Sequence, residues 1–191
     1  CPRGYRSAGI DGFHLKRMGG SLTEKTGMIS KEKFDAVLFD LDGVLTATAS
    51  IHASCWKEMF DAFLKKRAAK EGEPFREFDI ATDYKKYVDG RRRYDGVRGL
   101  LESRDIALPE GRLDDPPEAE TVCGLGNRKN EMVNEAIRTK GVKPFPGSVA
   151  LVHHLRETGL KTAVVSASAN CQTVLIGAGI SDLFDVRVDG K

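Results

Sequence analysis

The sequence predicts an α/β fold with a parallel sheet, in which a long helix-rich insertion separates the first strand from the later ones. Short apolar runs without strict alternation recur along the chain, as is typical of strands buried on both faces. Segments with apolar residues at helical spacing lie between these runs. The 191 residues suffice for one domain with an insertion but are short for two independent domains.

The composition excludes several functional classes. Thirty Lys and Arg residues against 28 Asp and Glu residues give a net charge of +2, which is too balanced for a dedicated nucleic-acid-binding protein. No apolar run approaches the roughly 18 residues that span a bilayer, and the first 27 residues contain no secretory apolar region. The four cysteines form no C-x-x-C pair, which favours a reducing compartment. We therefore expect a cytoplasmic protein with neither nucleic acid nor membrane as a partner.

Residues 1–33 are predicted to be a basic, disordered extension. Seven basic and three acidic side chains give this segment a charge of +4, and six glycines interrupt it. The alternative is an electrostatic tether for an acidic partner.

The next part of the chain begins with a strand and continues with helices. Residues 35–39, Asp-Ala-Val-Leu-Phe, form an apolar run of strand length. From residue 51 to about residue 70, apolar residues recur at helical spacing, and basic residues concentrate near the end, where they favour the helix dipole. Residues 108–120, rich in Pro and acids, are predicted to be a surface connection. Shorter helices are predicted at about residues 80–88, 97–104 and 127–139.

The last part of the chain alternates helices and strands. After the Pro-Gly pair at residues 146–147, Ser148 is predicted to cap a helix that runs to about Glu157. The remaining elements are predicted to be a strand over residues 162–166, a helix over residues 170–178 and a strand over residues 184–188.

Two carboxylates stand directly after the first predicted strand. Asp40 and Asp42 are two residues apart, so both side chains can face the crevice beyond the strand's carboxyl end, where ligands of open α/β sheets bind. Gly43 permits an abrupt turn there. Two close carboxylates repel each other unless a cation lies between them, and Mg²⁺ prefers such oxygen ligands. An EF-hand loop is excluded because Leu38 stands where a carboxylate is required.

With these residues in view, the sequence resembles a known family. Residues 39–46, FDLDGVLT, resemble the first motif of the haloacid-dehalogenase-like (HAD) phosphotransferases, and the strand that ends at Ser166 resembles their second motif. His52, Trp56 and the Arg-Lys-Asn sequence at residues 128–130 resemble the β-phosphoglucomutase-type branch, whose members carry a helical cap.

The resemblance covers about residues 34–190 and implies a domain organisation. A doubly wound, Rossmann-like parallel-sheet core, incomplete in this chain, would consist of residues 34–46 and 147–191. Residues 47–146 would form the inserted α-helical cap, which closes over the core to exclude water and select the substrate.

The resemblance also implies roles for the core residues. Asp40 would be the nucleophile that becomes an aspartyl-phosphate. Asp42 would be the general acid and base, and both aspartates would contribute to the Mg²⁺ site, Asp42 through its main-chain carbonyl. Ser166 would hydrogen-bond the transferring phosphate, with help from main-chain N–H groups near Ala167 and from the helix start at Asn170.

Several cap residues are implied to bind the substrate. Alternatively, His52 could be a partly buried residue at the start of a helix, and Trp56 could pack in the core of the cap. Arg98 has the alternative of belonging to a solvated basic cluster with residues 91–93, which we expect to face solvent. The residues predicted to face a sugar phosphate are His52, Trp56, Arg98, Lys129 and Asn130.

The implied function is Mg²⁺-dependent phosphoryl transfer on a small sugar phosphate, as in the isomerisation of glucose 1-phosphate to glucose 6-phosphate. A sugar-phosphate phosphatase of the same superfamily is one alternative. The other is a catalytically incomplete fragment or a sugar-phosphate-binding module, because the third-motif Lys and fourth-motif acids of the family are expected beyond the strand that ends near Val188. We expect the chain to be truncated there, with the first strand as an exposed edge, and Lys191 lies too close to the last strand for the third-motif role. Ala47 and Ala169 also depart from residues common in the family.

Overall fold

A computed structural model describes residues 29–190 of the chain. Most of the predicted basic extension, and Lys191, lie outside these residues. Within residues 29–190 the sheet consists of three parallel strands in the order β1 (Ala36–Phe39), β2 (Lys161–Val165) and β3 (Val186–Val188). Leu38 is paired with Ala163 and Ala163 with Val186, so the three strands are in register across the sheet. The predicted parallel α/β arrangement is confirmed.

Helices fill the insertion between β1 and β2. Helix α1 spans Ala49–Glu71, a π-helix spans Ile80–Val88, α2 spans Arg93–Glu102 and α3 spans Val122–Lys140. The predicted helices thus exist, but α3 begins about five residues earlier than expected. The hydroxyl oxygen of Thr121 accepts a hydrogen bond from the Gly124 N–H at 2.9 Å, which caps the helix at that point.

The remaining helices flank the sheet. Helix α4 spans Pro146–Glu157, α5 spans Cys171–Gly177, and a single 3₁₀ turn spans Ser181–Leu183. The prediction that Ser148 caps α4 is wrong, because the helix has already begun at Pro146, a residue whose fixed backbone angle suits a first turn. The Ser148 hydroxyl instead donates to the Val44 carbonyl at 2.6 Å and ties α4 to the segment after β1.

Two hydrophobic clusters hold the described residues together. The sheet cluster is built around Phe39, Leu41, Val152 and Val164, and it also takes in Val133 and other residues of the insertion. The cap cluster lies within the insertion, where Trp56 stacks on Phe60 and Phe60 on Phe78 with ring centroids 5.2 and 5.0 Å apart. Because α1 and α3 contribute to both clusters, the division into core and cap at residues 46 and 147 stays a prediction.

One face of the sheet is open within the described residues. The prediction that the strands are buried on both faces is wrong there: Leu38 is 66% exposed and Val186 55% exposed, and the two flank Ala163 in the sheet. Val165 and Val188, which are paired beside them, are also exposed. No helix within residues 29–190 is long and apolar enough to cross a membrane.

Candidate active site

A tight turn after β1 positions the two aspartates. Gly43 has a φ of 83°, a conformation that favours glycine, and its N–H donates to the Thr46 carbonyl at 2.8 Å. The N–H groups of Leu45 and Thr46 both donate to the Leu41 carbonyl, at 3.0 and 3.1 Å. The chain therefore reverses within a few residues, as the sequence predicts, and Asp40 and Asp42 line one cleft beyond the end of the strand.

The carboxylate of Asp40 experiences a negative surrounding field. Partial burial raises its pKa, and the charges of Asp42 and Asp89 raise it further, although the N–H of Leu41 donates to Oδ1 at 2.7 Å and opposes the shift. Such a field favours a bound cation.

The oxygen atoms of the cleft fit a Mg²⁺ ion for which the protein supplies only a few of the ligands. Within residues 29–190 no group of three or more His, Cys, Asp or Glu side chains is arranged to hold a metal. Mg²⁺ is commonly held by one or two carboxylates together with waters and substrate phosphate. The Asp40 carboxylate and the oxygens of Asp42 are the described groups that match this chemistry.

A buried polar chain leads from the cap to Asp42. The ammonium of Lys129 on α3 donates to Nδ1 of His52 on α1 at 2.9 Å, and Nε2 of His52 lies 3.7 Å from Oδ1 of Asp42. Burial lowers the pKa of His52 to about 4, and the charge of Lys129 acts in the same direction. The ring is therefore neutral near pH 7, and its approach to Asp42 is a polar contact rather than an ion pair. The Thr48 hydroxyl donates to the same Asp42 oxygen.

Lys129 is a buried cation on the cap side of the cleft. Its side chain lies over the Trp56 ring, with the ammonium 4.8 Å from the ring centroid. Burial lowers the pKa of Lys129 to about 8, and the nearby Cys55 and Asp42 oppose this shift. Lys129 thus stays mostly protonated at pH 7. Trp56 both packs in the cap cluster and lines the cleft, so its two predicted placements coexist.

The loop after β2 forms a further part of the cleft wall. The Ser166 hydroxyl oxygen is buried near the strand end and accepts the Ser168 N–H at 3.1 Å. The Asn170 side-chain amide donates to the side-chain oxygen Oδ1 of Asn130 in α3 at 2.9 Å, which links this loop to the insertion. Helix α5 begins one residue after Asn170 and has only seven residues.

The structure brings nine of the ten predicted site residues to this cleft. They are Asp40, Asp42, His52, Trp56, Lys129, Asn130, Ser166, Ala167 and Asn170. Arg98 does not line the cleft. Its guanidinium instead pairs with Glu110, with Nη2 and Oε1 2.6 Å apart, and with Asp95 of its own helix.

Other residues in the cleft were not predicted. Arg91 and Arg93 line it; Arg91 is exposed, as predicted, whereas Arg93 is half-buried. Asp89 and Tyr84, from the π-helix and its end, line it too. Gly90 has a φ of 68° and turns the chain between two helices, but nothing in the local sequence indicates which of the neighbouring side chains reach the cleft.

A parallel α/β sheet with an Asp-x-Asp turn after β1 and a serine after β2 defines the class of protein, and comparison with known proteins identifies the family. The haloacid dehalogenase-like hydrolase family matches residues 34–191, and the chain belongs to this family.

Within this family, the chain is similar to particular proteins. The chain is 53% identical over 159 residues to proteins named beta-phosphoglucomutase from Mycobacterium bovis and Mycobacterium tuberculosis, a match that covers 83% of this chain and 61% of each relative. The chain therefore spans about three fifths of the length of these relatives.

Solved structures agree on the fold. The crystal structure of beta-phosphoglucomutase from Clostridium difficile has a TM-score of 0.59 and 27% identity, and the match covers 82% of this chain and 62% of that one. A structure of CbbY from Rhodobacter sphaeroides in complex with xylulose-(1,5)bisphosphate has a TM-score of 0.57 at 18% identity, covering 82% of this chain and 64% of that one, and shows the fold alone.

Proposed function

We propose that the protein containing this chain transfers the phosphoryl group of a small sugar phosphate through an aspartyl-phosphate at Asp40. The observation that carries the proposal is the cleft itself, which Asp40, Asp42 and Ser166 line together with the cationic Lys129 and Arg93. Phosphoryl transfer mainly requires alignment and charge neutralisation, which carboxylates, a hydroxyl and cations in one cleft can supply.

Asp40 is the attacking group in this proposal. One of its carboxylate oxygens forms a bond to phosphorus while the bond from phosphorus to the sugar oxygen breaks. The Ser166 hydroxyl and the N–H groups of the following loop hold the phosphate oxygens. Asp40 and Asp42 would also hold Mg²⁺, which when bound supplies positive charge against those oxygens.

Asp42 moves the proton. Its Oδ1 atom is already contacted by the Thr48 hydroxyl and approached by His52, whereas no hydrogen bond within residues 29–190 engages Oδ2. Oδ2 is therefore the atom available to protonate the departing sugar oxygen, or to accept the proton of an incoming hydroxyl. The Thr48 hydroxyl orients the Asp42 carboxylate, and neutral His52, held by Lys129, lies beside it.

The cations of the cleft bind the rest of the substrate. Arg91 and Arg93 also line the cleft, and their guanidinium groups can donate hydrogen bonds to oxygens of the substrate. Lys129 adds a buried cation to the same cleft.

Isomerisation of glucose 1-phosphate to glucose 6-phosphate is the specific reaction that we propose. A phosphatase would use the same groups, and differs only in whether water or a sugar hydroxyl reaches the aspartyl-phosphate. The 53% identity to proteins named beta-phosphoglucomutase supports the isomerase.

The test replaces Asp40 with Asn in the full gene product. We expect Asp40→Asn to lower kcat by about 10⁴-fold or more, because the amide is a far weaker nucleophile, with the unfolding transition unchanged. The matched control is Asp35→Asn, which removes an exposed carboxylate just before β1 and should leave activity intact. Turnover of glucose 1-phosphate near the wild-type rate in Asp40→Asn would remove Asp40 from the nucleophile role.

A further inference from the structure

The end of the π-helix brings an unexplained carboxylate to the cleft. Asp89 directly follows Val88, the last residue of the π-helix, and its N–H donates to the Tyr84 carbonyl at 2.9 Å. The N–H of Arg91 donates to the Val88 carbonyl at 3.2 Å, and Gly90 turns the chain between them. The backbone on both sides of Asp89 is thus held by hydrogen bonds.

A buried arginine fixes the π-helix to the rest of the cap. The Arg104 side chain is 5% exposed, and its Nη2 atom lies 2.5 Å from Oδ2 of Asp83 in the π-helix. Arg104 also donates to the carbonyls of Arg76 and Glu77, at 2.6 and 2.7 Å, in the segment that leads into the helix. Asp89 therefore stands on an anchored element, as a group that positions a substrate requires.

Packing around Val88, the last residue of the π-helix, restricts the position of the helix further. Val88 is buried against α2, where a Cβ on Gly96 would lie only 3.0 Å from the Val88 side chain and 3.4 Å from the Trp56 ring. The close approach leaves no room for the helix end to slide toward α2.

The Asp89 carboxylate lines the cleft and is exposed there, and within residues 29–190 no hydrogen bond or ion pair engages it. Its charge helps to raise the pKa of Asp40 and of Tyr84. A carboxylate repels phosphate, so its presence in a phosphate-binding cleft needs a different partner. Sugar hydroxyls are that partner, because they donate hydrogen bonds and a carboxylate only accepts them.

We propose that Asp89 is a specificity-determining residue that accepts hydrogen bonds from hydroxyl groups of the sugar ring, between the phosphate at Asp40 and the arginines at 91 and 93. The inference rests on the proposed function and names what this cleft selects: a phosphorylated polyol with free hydroxyls, rather than phosphate esters in general. A carboxylate with two oxygens suits two neighbouring hydroxyls of one ring. An analogue that lacks one of them would leave the carboxylate without its partner.

The test compares Asp89→Ala with the wild type on two kinds of substrate, in the full gene product. One is β-glucose 1-phosphate with its 2-deoxy and 3-deoxy analogues, and the other is acetyl phosphate, which carries no hydroxyl. We expect Asp89→Ala to lower kcat/KM for glucose 1-phosphate by about 100-fold and to leave acetyl phosphate hydrolysis within about threefold of wild type. The penalty that a deoxy analogue suffers in the wild type should disappear in the variant. Asp114→Asn, an exposed cap carboxylate paired with Arg112, is the control for the loss of one charge.

Binding provides a second test that does not need turnover. Calorimetry with glucose 1-phosphate is run on Asp40→Asn and on Asp40→Asn combined with Asp89→Ala, and we expect about tenfold or more weaker binding in the double variant. Equal binding, or an unchanged ratio of sugar-phosphate to acetyl phosphate activity in Asp89→Ala, would overturn the role of Asp89 alone. A wild type that turns over neither substrate would instead overturn the proposed function, while the binding comparison would still decide on Asp89.

Discussion

The two hydrophobic clusters of the molecule differ in how completely they are shielded from solvent. In the cap cluster the aromatic stack of Trp56, Phe60 and Phe78 is buried, and none of the three residues is more than 4% exposed. In the sheet cluster one face of the strands is covered, whereas Leu38 and its neighbours on the other face are exposed. Asp40 follows a strand of the open region, whereas Trp56, which also lines the cleft, is packed in the closed one. In the function proposed above, the part that selects the substrate would be the well-packed one, and the chemistry would take place at a sheet with an exposed apolar face.

The largest loss of stability should come from a substitution in the middle of the aromatic stack. Phe60 is fully buried between two rings, so we expect Phe60→Ala to lower the free energy of unfolding by about 3–5 kcal/mol through lost burial and a residual cavity. Urea denaturation of both proteins measures the difference.

A matched control is available in the same region. Phe75 is 40% exposed and contacts the ammonium of Lys65, so Phe75→Ala should cost less than about 1 kcal/mol. Similar losses for the two variants would contradict the enclosed cap described above.

The parts of the site that the sequence could predict are those that depend on adjacent residues. The turn at Asp40, Asp42 and Gly43 depends on a few adjacent residues, so its geometry could be read from the motif. The placement of Asp89 and Arg93 could not, because a π-helix precedes them. Its hydrogen bonds reach five residues back, as in the bond from Asp89 to Tyr84, and this shifts the residues that follow out of the usual 3.6-residue periodicity.

Arg98 shows a second reason why prediction failed. Nothing in the local sequence distinguishes an arginine that reaches the cleft from one that turns to a carboxylate twelve residues later, as Arg98 does with Glu110. The open face of the sheet had a local signal, the apolar character of β1, but its exposure depends on which other elements cover it.

An intermediate effect on the free energy of unfolding is expected from Lys129, which contacts Trp56 of the cap cluster and His52 beside Asp42. The folded protein loses the Lys129 proton near pH 8, whereas the unfolded chain keeps it to about the ordinary value of 10.5. The unfolded state therefore binds more protons in this window, and stability should rise with pH. We expect the free energy of unfolding of the wild type to rise by about 1–3 kcal/mol relative to Lys129→Met between pH 7.5 and 10.5.

Urea denaturation at several pH values in this window measures the slope. Lys70→Met, which changes an exposed lysine in the last turn of α1, is the matched control and should follow the wild type. Parallel curves for the wild type and Lys129→Met would show that Lys129 is solvated in the folded protein.

The smallest effect should come from the open face of the sheet. Leu38 is 66% exposed, so Leu38→Ser should change the free energy of unfolding by less than about 0.5 kcal/mol, whereas Leu41→Ala, at a fully buried position three residues later, should cost about 2–4 kcal/mol. Both are measured by urea denaturation at several protein concentrations. A loss of more than about 1 kcal/mol in Leu38→Ser would mean that another surface covers this face in solution. If that loss grew with protein concentration, the covering surface would be a second copy of the chain, because only association makes stability depend on concentration.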